Sequence, residues 1–370
     1  MTARGARVLV AMSGGVDSSV AAAMLVEQGY DVVGATMKLF CYGDDVPDRP
    51  CCSLDSIDDA RRVCERIGIP HYVLNLESAF GRDVIQNFVS EYANGRTPIP
   101  CVRCNTFTKF RDLLAKADAV DARWIATGHY ARAREGALYR GVDASKDQSY
   151  FLWGIDRSVV ARMLLPVGDL TKPATRQRAY ALGLDMIAAK VESQDICFVP
   201  DGDHVKVIAR QIGADAPSLS CGPIMTTDGR VVGEHRGFAR YTIGQRRGLP
   251  GGYAVPMYVV GIRPADRAVI IGGREELLGH GVIAREMNWL VEEIPGVGRQ
   301  ISVQIRHRAS PVRAEIVRLD AGEIELALDE PVSAITPGQS LVLYDDDRVL
   351  GGGFIEASRK ERQALPILAA

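Results

Sequence analysis

The stretch Arg7-Val-Leu-Val-Ala-Met-Ser-Gly-Gly-Val-Asp-Ser-Ser19 limits what this chain can fold into more than any other. Val8 to Met12 form an unbroken apolar run of strand length, Ser13-Gly14-Gly15 reads as a turn, and Val20, Met24 and Leu25 follow at helical spacing. A strand that passes through a glycine turn into a helix offers main-chain donors to an anion. Adjacent glycines reach backbone angles closed to other residues and leave N–H groups bare. The first turn of the helix adds unpaired N–H groups and about half a positive charge. The expected product is a phosphate seat, with hydroxyls from Ser13, Ser18 and Ser19 around it and Asp17 better suited to magnesium or a ribose. A plain strand-to-helix corner also favours glycine, but does not require the whole Ser-Gly-Gly-x-Asp-Ser run. The lysine of a Walker loop is missing, and so is the Gly-x-Gly-x-x-Gly of dinucleotide folds.

The run resembles the pyrophosphate loop of the N-type ATP pyrophosphatases, which cleave ATP between the α- and β-phosphates to adenylate a substrate. The alternation around it agrees. Asp31 to Leu39, His71 to Asn75 and Trp124 to Thr127 read as further strands, with helices after Ser53 (its N-cap) to near Gly68, over about 80–93 and from Phe107 to about Ala117. Prolines make Asn94 to Pro100 a loop. The expected fold is α/β, a doubly wound parallel sheet of the adenine nucleotide α-hydrolase type, in which Thr36 and Met37 end a strand that faces the nucleotide.

Beyond Cys221 the text turns to short alternating runs separated by glycine and proline, and from about 280 onward Gln300 to Ile305, Arg313 to Arg318, Ile324 to Leu328 and Ser340 to Tyr344 alternate as half-buried strands do. Two small β-rich domains are expected, the last a β-barrel, giving divisions at 1–204, 205–277 and 278–370. The net charge of -2 excludes a wholly basic nucleic-acid binder, so any RNA contact must use local patches. One such patch runs from Arg236 to Arg263, with Arg240, Arg246 and Arg247 and no acid between them, and with Phe238, Tyr241, Tyr253 and Tyr258 placed for stacking. Arg306, His307, Arg308 and Arg313 form a second.

No apolar run reaches spanning length and Met1 to Arg7 leads straight into a strand, so the expectation is a cytoplasmic protein with no membrane partner. In a reducing compartment its eight cysteines (Cys41, Cys51, Cys52, Cys64, Cys101, Cys104, Cys197 and Cys221) suit redox, metal or sulfur chemistry better than disulfides. Cys101-Val-Arg-Cys104 directly precedes a helix that Asn105 or Thr106 can cap, a setting that favours thiolate. A zinc site would need further ligands that no second Cys-x-x-Cys supplies.

Six motifs, Ser13 to Ser19, Cys104-Asn105, Ala126-Thr-Gly-His-Tyr-Ala131, Lys146-Asp-Gln-Ser-Tyr-Phe-Leu152, Ser193-Gln-Asp-Ile-Cys-Phe198 and Tyr241-Thr-Ile-Gly-Gln-Arg-Arg-Gly-Leu249, together resemble the tRNA-specific 2-thiouridylases over nearly the whole chain. That resemblance implies ATP-dependent adenylation of the C2 oxygen of a wobble uridine, then displacement of AMP by sulfur. It implies ATP contacts at Ala11, Met12, Ser13, Gly14, Gly15, Val16, Asp17, Ser18, Met37 and Gly128, with magnesium accompanying ATP. Cys104 matches the nucleophile and Cys197 the persulfide carrier, which a sulfur-donor protein would load. His129, Lys146, Asp147, Gln148, Arg306, His307 and Gln339 match tRNA-contacting positions. The chain departs from the family where many members have an aspartate and it has Cys101. Cys101, Cys104 and Cys197 therefore also resemble the three ligands of a 4Fe–4S cluster in a cysteine-rich variant. The alternatives are an ATP-pyrophosphatase ligase or amidotransferase for a small molecule, and a non-catalytic nucleotide-binding regulator.

Overall fold

The computed structural model describes residues 5–40, 54–190, 196–199 and 201–361. Ser53, Cys41, Cys51, Cys52 and Ser193 to Asp195 lie outside them. The chain forms two compact units, one of Met1–Ile85, Pro100–Gly202 and Asp347–Val349, the other of Gln86–Ile99, Asp203–Asp346 and Leu350–Ala370.

In the first unit β1 (Arg7–Ala11), β2 (Asp31–Lys38), β3 (His71–Asn75), β4 (Trp124–Ala126) and, after a hairpin of β5 (Ala131–Arg134) and β6 (Ala137–Arg140), β7 (Met163–Leu164) appear in chain order. All but the hairpin strands form a parallel sheet in the order β3-β2-β1-β4-β7. Val8 and Val10 of the central strand are fully buried. Helix α1 (Val16–Glu27) is buried almost all round, because Ala21, Ala22 and Ala23 let it lie close to its neighbours. Helix α2 (Leu54–Ile67) instead buries one stripe, with Ala60, Val63 and Cys64 against that core. The order in which the chain adds its parallel strands reverses between β1 and β4. The crevice outside the carboxyl ends of these two strands is where open α/β sheets bind ligands.

The expected helix over 80–93 is not one helix. A short helix (Glu77–Phe80) gives way to a π-helical turn (Gly81–Ile85) and a further helix (Gln86–Ala93). Phe80, Val84 and Phe88 stand four apart and are all buried, a spacing that a turn wider than 3.6 residues holds on one side.

The second unit carries β8 (Cys221–Thr226), β9 (Val231–Arg236), β10 (Tyr258–Arg263) and β11 (Ala268–Gly272) in a sheet ordered β10-β11-β8-β9. It also carries β12 (Leu278–Trp289), β13 (Gln300–Gln304), β14 (Val312–Asp320), β15 (Glu323–Ser333), β16 (Ser340–Asp345) and β17 (Arg348–Arg359). These run in the order β12-β15-β14-β13-β16-β17, and antiparallel pairing of β12 with β17 closes a barrel. Alternate residues such as Ile301 and Val303, Ala314 and Ile316, and Leu341 and Leu343 fill its core.

The segment from Gln86 to Ile99 belongs to this unit. Arg96 donates to Glu91 at 2.8 Å, to Glu356 at 2.6 Å and to the Ile355 carbonyl at 3.1 Å. Tyr92 stacks on His204 with ring centroids 4.4 Å apart.

Candidate active site

The turn after β1 is shaped by close approach. Gly14 has φ of +70°, and a Cβ there would stand 2.3 Å from the Ser56 carbonyl oxygen. Ser13 N–H donates to Ser18 Oγ at 3.1 Å, Ser18 Oγ donates to the Gly15 carbonyl at 3.1 Å, and Ser19 Oγ donates to the same carbonyl at 2.9 Å. The loop is thus closed by its own hydroxyls. Gly15 caps α1 without a side chain to engage the first-turn N–H groups. At the end of β4, Gly128 lies against the same turn, since a Cβ there would be 2.5 Å from Ser18 N. Ala11 to Ser18 and Gly128, far apart in sequence, therefore share one spot at the strand reversal. Met37 is half-buried near the end of β2, and buried Thr36 is engaged by His71, Oγ1 to Nε2 at 2.8 Å. Burial, then the Arg61 charge, lowers the His71 pKa.

Lysines meet this loop in a way the sequence did not disclose. Lys172 Nζ donates to both carboxylate oxygens of Asp17, at 2.8 and 2.9 Å, and lies 5.6 Å from the Tyr130 ring centroid. The Tyr130 hydroxyl is 2.8 Å from Asp17 Oδ1 and 3.0 Å from Thr175 Oγ1. Both carboxylate oxygens of Asp17 are thus engaged within the protein. Lys190 Nζ approaches the Gly14 carbonyl at 3.4 Å and pairs with Asp59. Neither lysine belongs to a recognisable motif, and only the fold brings them here.

The cysteine segment differs from expectation. Its helix begins at Pro100, whose fixed φ suits a first helical position, so Cys101 rather than Cys104 occupies the first turn. Asn105 and Thr106 are not caps. Cys104 is 5% exposed and opens a π-helical turn (Cys104–Lys109), which continues into the helix Phe110–Ala119. Asn105 Nδ2 donates to the Phe151 carbonyl at 3.0 Å. Among the described residues, Asn105 Oδ1, Thr106 Oγ1 and Thr108 Oγ1 are buried with no hydrogen-bond partner. Cys197 is half-buried beside Phe198, whose ring meets Phe80 edge-on at 5.6 Å. Cys101 is exposed while Cys104 is buried, and no three His, Cys, Asp or Glu side chains among the described residues are grouped to hold a metal ion. That arrangement does not fit a 4Fe–4S cluster on Cys101, Cys104 and Cys197.

The remaining candidates fall in both units. His129 follows Gly128, with Nδ1 2.8 Å from Thr127 Oγ1. The residue as a whole is half-buried, and burial, aided by the Lys109 charge, pushes its pKa down to about 3, so it is neutral at physiological pH. Asp147 accepts from Gly141 N–H at 2.9 Å, Ser149 N–H at 3.1 Å and Arg140 at 3.1 Å. Gln148 Oε1 accepts from Tyr130 N–H at 2.8 Å. Both side chains thus shape the loop that carries Lys146. In the second unit Gln339 Nε2 donates to the carbonyls of Thr97 at 2.9 Å and Pro98 at 3.3 Å. Arg306 and His307 lie in the turn after β13, with Arg306 exposed. Phe238 and Tyr241 are core residues, 1% and 9% exposed, and so are not stacking platforms. The loop after them is tied by Gly244 N–H to the Val259 carbonyl at 2.8 Å and by Val259 N–H to the Gln245 carbonyl at 2.9 Å, leaving Arg246 and Arg247 exposed.

Fold and loop together define an α/β protein of the nucleotide-binding kind, and the family model described as tRNA methyl transferase HUP domain matches residues 6–201. Models described as tRNA methyl transferase PRC-barrel domain and Aminomethyltransferase beta-barrel domain match residues 214–273 and 279–355. The chain belongs to the tRNA-specific 2-thiouridylase family. It is 45% identical over 368 residues to a protein of that name from Solibacter usitatus, covering 94% of this chain and 99% of that one. It is 46% identical over 365 residues to another from Geobacter metallireducens, covering 96% and 98%. A solved 4-thiouridine synthetase in complex with RNA and ATP superposes with a TM-score of 0.35 at 17% identity, over 56% of this chain and 51% of that one, too loosely to add weight. No helix among the described residues is long and apolar enough to cross a membrane.

Proposed function

We propose that this chain is a tRNA-uridine 2-sulfurtransferase that thiolates the wobble uridine with ATP. The uridine C2 oxygen attacks the α-phosphorus and pyrophosphate leaves. Sulfur carried on Cys197 as a persulfide then adds at C2, and AMP departs with the former carbonyl oxygen. Cys104 is the nucleophile that frees the transferred sulfur by attacking the Cys197 sulfur. The two cysteines finish as a disulfide, so two reducing equivalents restore them, and a sulfur-donor protein reloads Cys197. An oxide is a poor leaving group and a phosphoester a good one, which is why ATP is needed before sulfur.

The observation that carries this reading is the meeting of Gly128 with the Ser13 to Ser18 turn at the strand reversal, in the same unit that holds Cys104 and Cys197. Main-chain donors and the α1 dipole there suit a triphosphate. Magnesium accompanies ATP as its complex, and no step is assigned to it through Asp17. We divide the work among 1–204 for catalysis, 205–277 for tRNA binding and 278–370 for the barrel. Arg246, Arg247 and Arg306 meet phosphates, and His129, Lys146, Asp147, Gln148, His307 and Gln339 complete the tRNA-contacting set, directly or by holding their loops. An unpaired anticodon loop lets the target base swing out at low cost.

The test is incubation with unmodified tRNA, labelled ATP and a persulfide donor. AMP, pyrophosphate and thiolated tRNA should appear in equal amounts. AMP and pyrophosphate without thiolated tRNA, or thiolation without ATP, would sink the reading.

A further inference from the structure

Lys172 stands in a place that is unfavourable for a cation twice over. It is the first residue of the helix Lys172–Ala181, whose N-terminus carries the positive end of the dipole, and it is 7% exposed. It is also fixed. Thr171 caps the helix through Ala174 N–H, Pro173 follows, and Lys172 N–H donates to Asp143 Oδ2 at 2.9 Å. A buried cation in such a setting needs a specific partner, and its Nζ reaches both oxygens of Asp17. Asp17, meanwhile, sits in the first turn of α1, the turn whose N–H groups belong to the anion seat.

On the ATP reading above, we propose that Lys172 is a positioning residue for the nucleotide, acting by cancelling the charge of Asp17 at the floor of the phosphate loop. Asp17 favours the start of α1, but an uncompensated carboxylate there would repel a triphosphate a few ångströms away. Lys172 supplies the counter-charge, leaving the loop N–H groups that Ser13 and Ser18 hydroxyls do not engage to face the ligand. Lys190 differs, because its side chain is 40% exposed and it pairs with Asp59 rather than with a residue of the loop itself.

The experiment measures equilibrium binding of Mg·ATP, without tRNA, to the full chain and to Lys172→Met, Asp17→Asn and the Asp17→Asn/Lys172→Met pair. Lys172→Met should bind about 100-fold more weakly, the size of one unscreened charge at short range. The double variant should return to within about fivefold of the parent, and Asp17→Asn alone should bind no more weakly than the parent. A double variant as weak as Lys172→Met means that Lys172 touches phosphate directly, and loss of binding in Asp17→Asn means that the carboxylate serves ATP itself. Either result overturns the assignment, as does a Lys172→Met protein that binds normally. If Lys172→Met fails to fold by circular dichroism, Asp17→Asn and the neutral pair still decide. A parent protein that does not bind ATP defeats the ATP reading instead, so the two failures are distinguishable.

Discussion

The phosphate loop and the cysteine segment of the same unit are built on opposite plans. The loop is complete within itself: Ser13, Ser18 and Ser19 close it with their own hydroxyls, and Gly14 and Gly128 fit where no side chain can. The segment that opens with Cys104 is left incomplete, wound as a π-turn with three buried oxygens unmatched. Such turns are rare and recur at functional sites. A loop that must hold a fixed anion gains from being formed in advance. On the proposed function the Cys104 thiol must reach a substrate, and the segment's imperfection is then the cost of reactivity, in line with the general conflict between stability and function.

The sharpest way to separate the two is Cys104→Ser. It should reduce thiolation by about 1,000-fold or more while leaving ATP binding within twofold of the parent. Thiolation above a tenth of the parent rate would remove the segment from the chemistry. Gly128→Ala should do the reverse, weakening ATP binding by about 10–100-fold as the new methyl group meets Ser18 N, with both thiols intact. Isothermal titration with Mg·ATP reads it, and unchanged affinity would mean that the close approach is incidental.

His129, next to Gly128 in the chain, gives a smaller effect that depends on pH. Its folded pKa of about 3 lies below the ordinary 6.5, so the unfolded chain binds the extra proton between these values. The stability held by the neutral ring is complete above about pH 6.5 and is lost as pH falls toward 3. His129→Asn should therefore lose less stability than the parent between pH 6.5 and pH 4 in urea titrations, and equal slopes would contradict the burial argument. The smallest effect is expected from Thr108→Val. It removes an unmatched buried hydroxyl at constant shape and should stabilise the fold by about 0.5–1 kcal/mol. Destabilisation would show that the π-turn is satisfied after all.

What could be read in the sequence follows the same division. The loop was legible because glycine and serine at fixed offsets are its mechanism, and the parallel strands because they are short apolar runs between helices. The helix start at Pro100 was not, because the prolines before it argue for a loop while Pro100 itself suits a first helical position. β12 and β17 were missed for another reason. Gly281 and Gly353 interrupt their alternation, yet neither has room for a side chain, since a Cβ added there would stand 2.8 Å from the Leu326 carbonyl oxygen and 2.5 Å from Met287 Sδ respectively. Phe238 and Tyr241 were misplaced because an aromatic among arginines reads alike whether it faces solvent or the core. Lys172 and Asp17 lie 155 residues apart, and nothing local announces their pairing.

The interleaving of the two units has a practical corollary for dissection. A polypeptide stopped after Gly202 would retain the stretch Gln86–Ile99 but lose His204, which stacks on Tyr92, together with Gln339 and Glu356, which hold Thr97 and Arg96. Three consecutive family matches invite scissors at their borders, but the part matched over 6–201 cannot be cut free without orphaning the stretch Gln86–Ile99 that leads into Cys101 and Cys104.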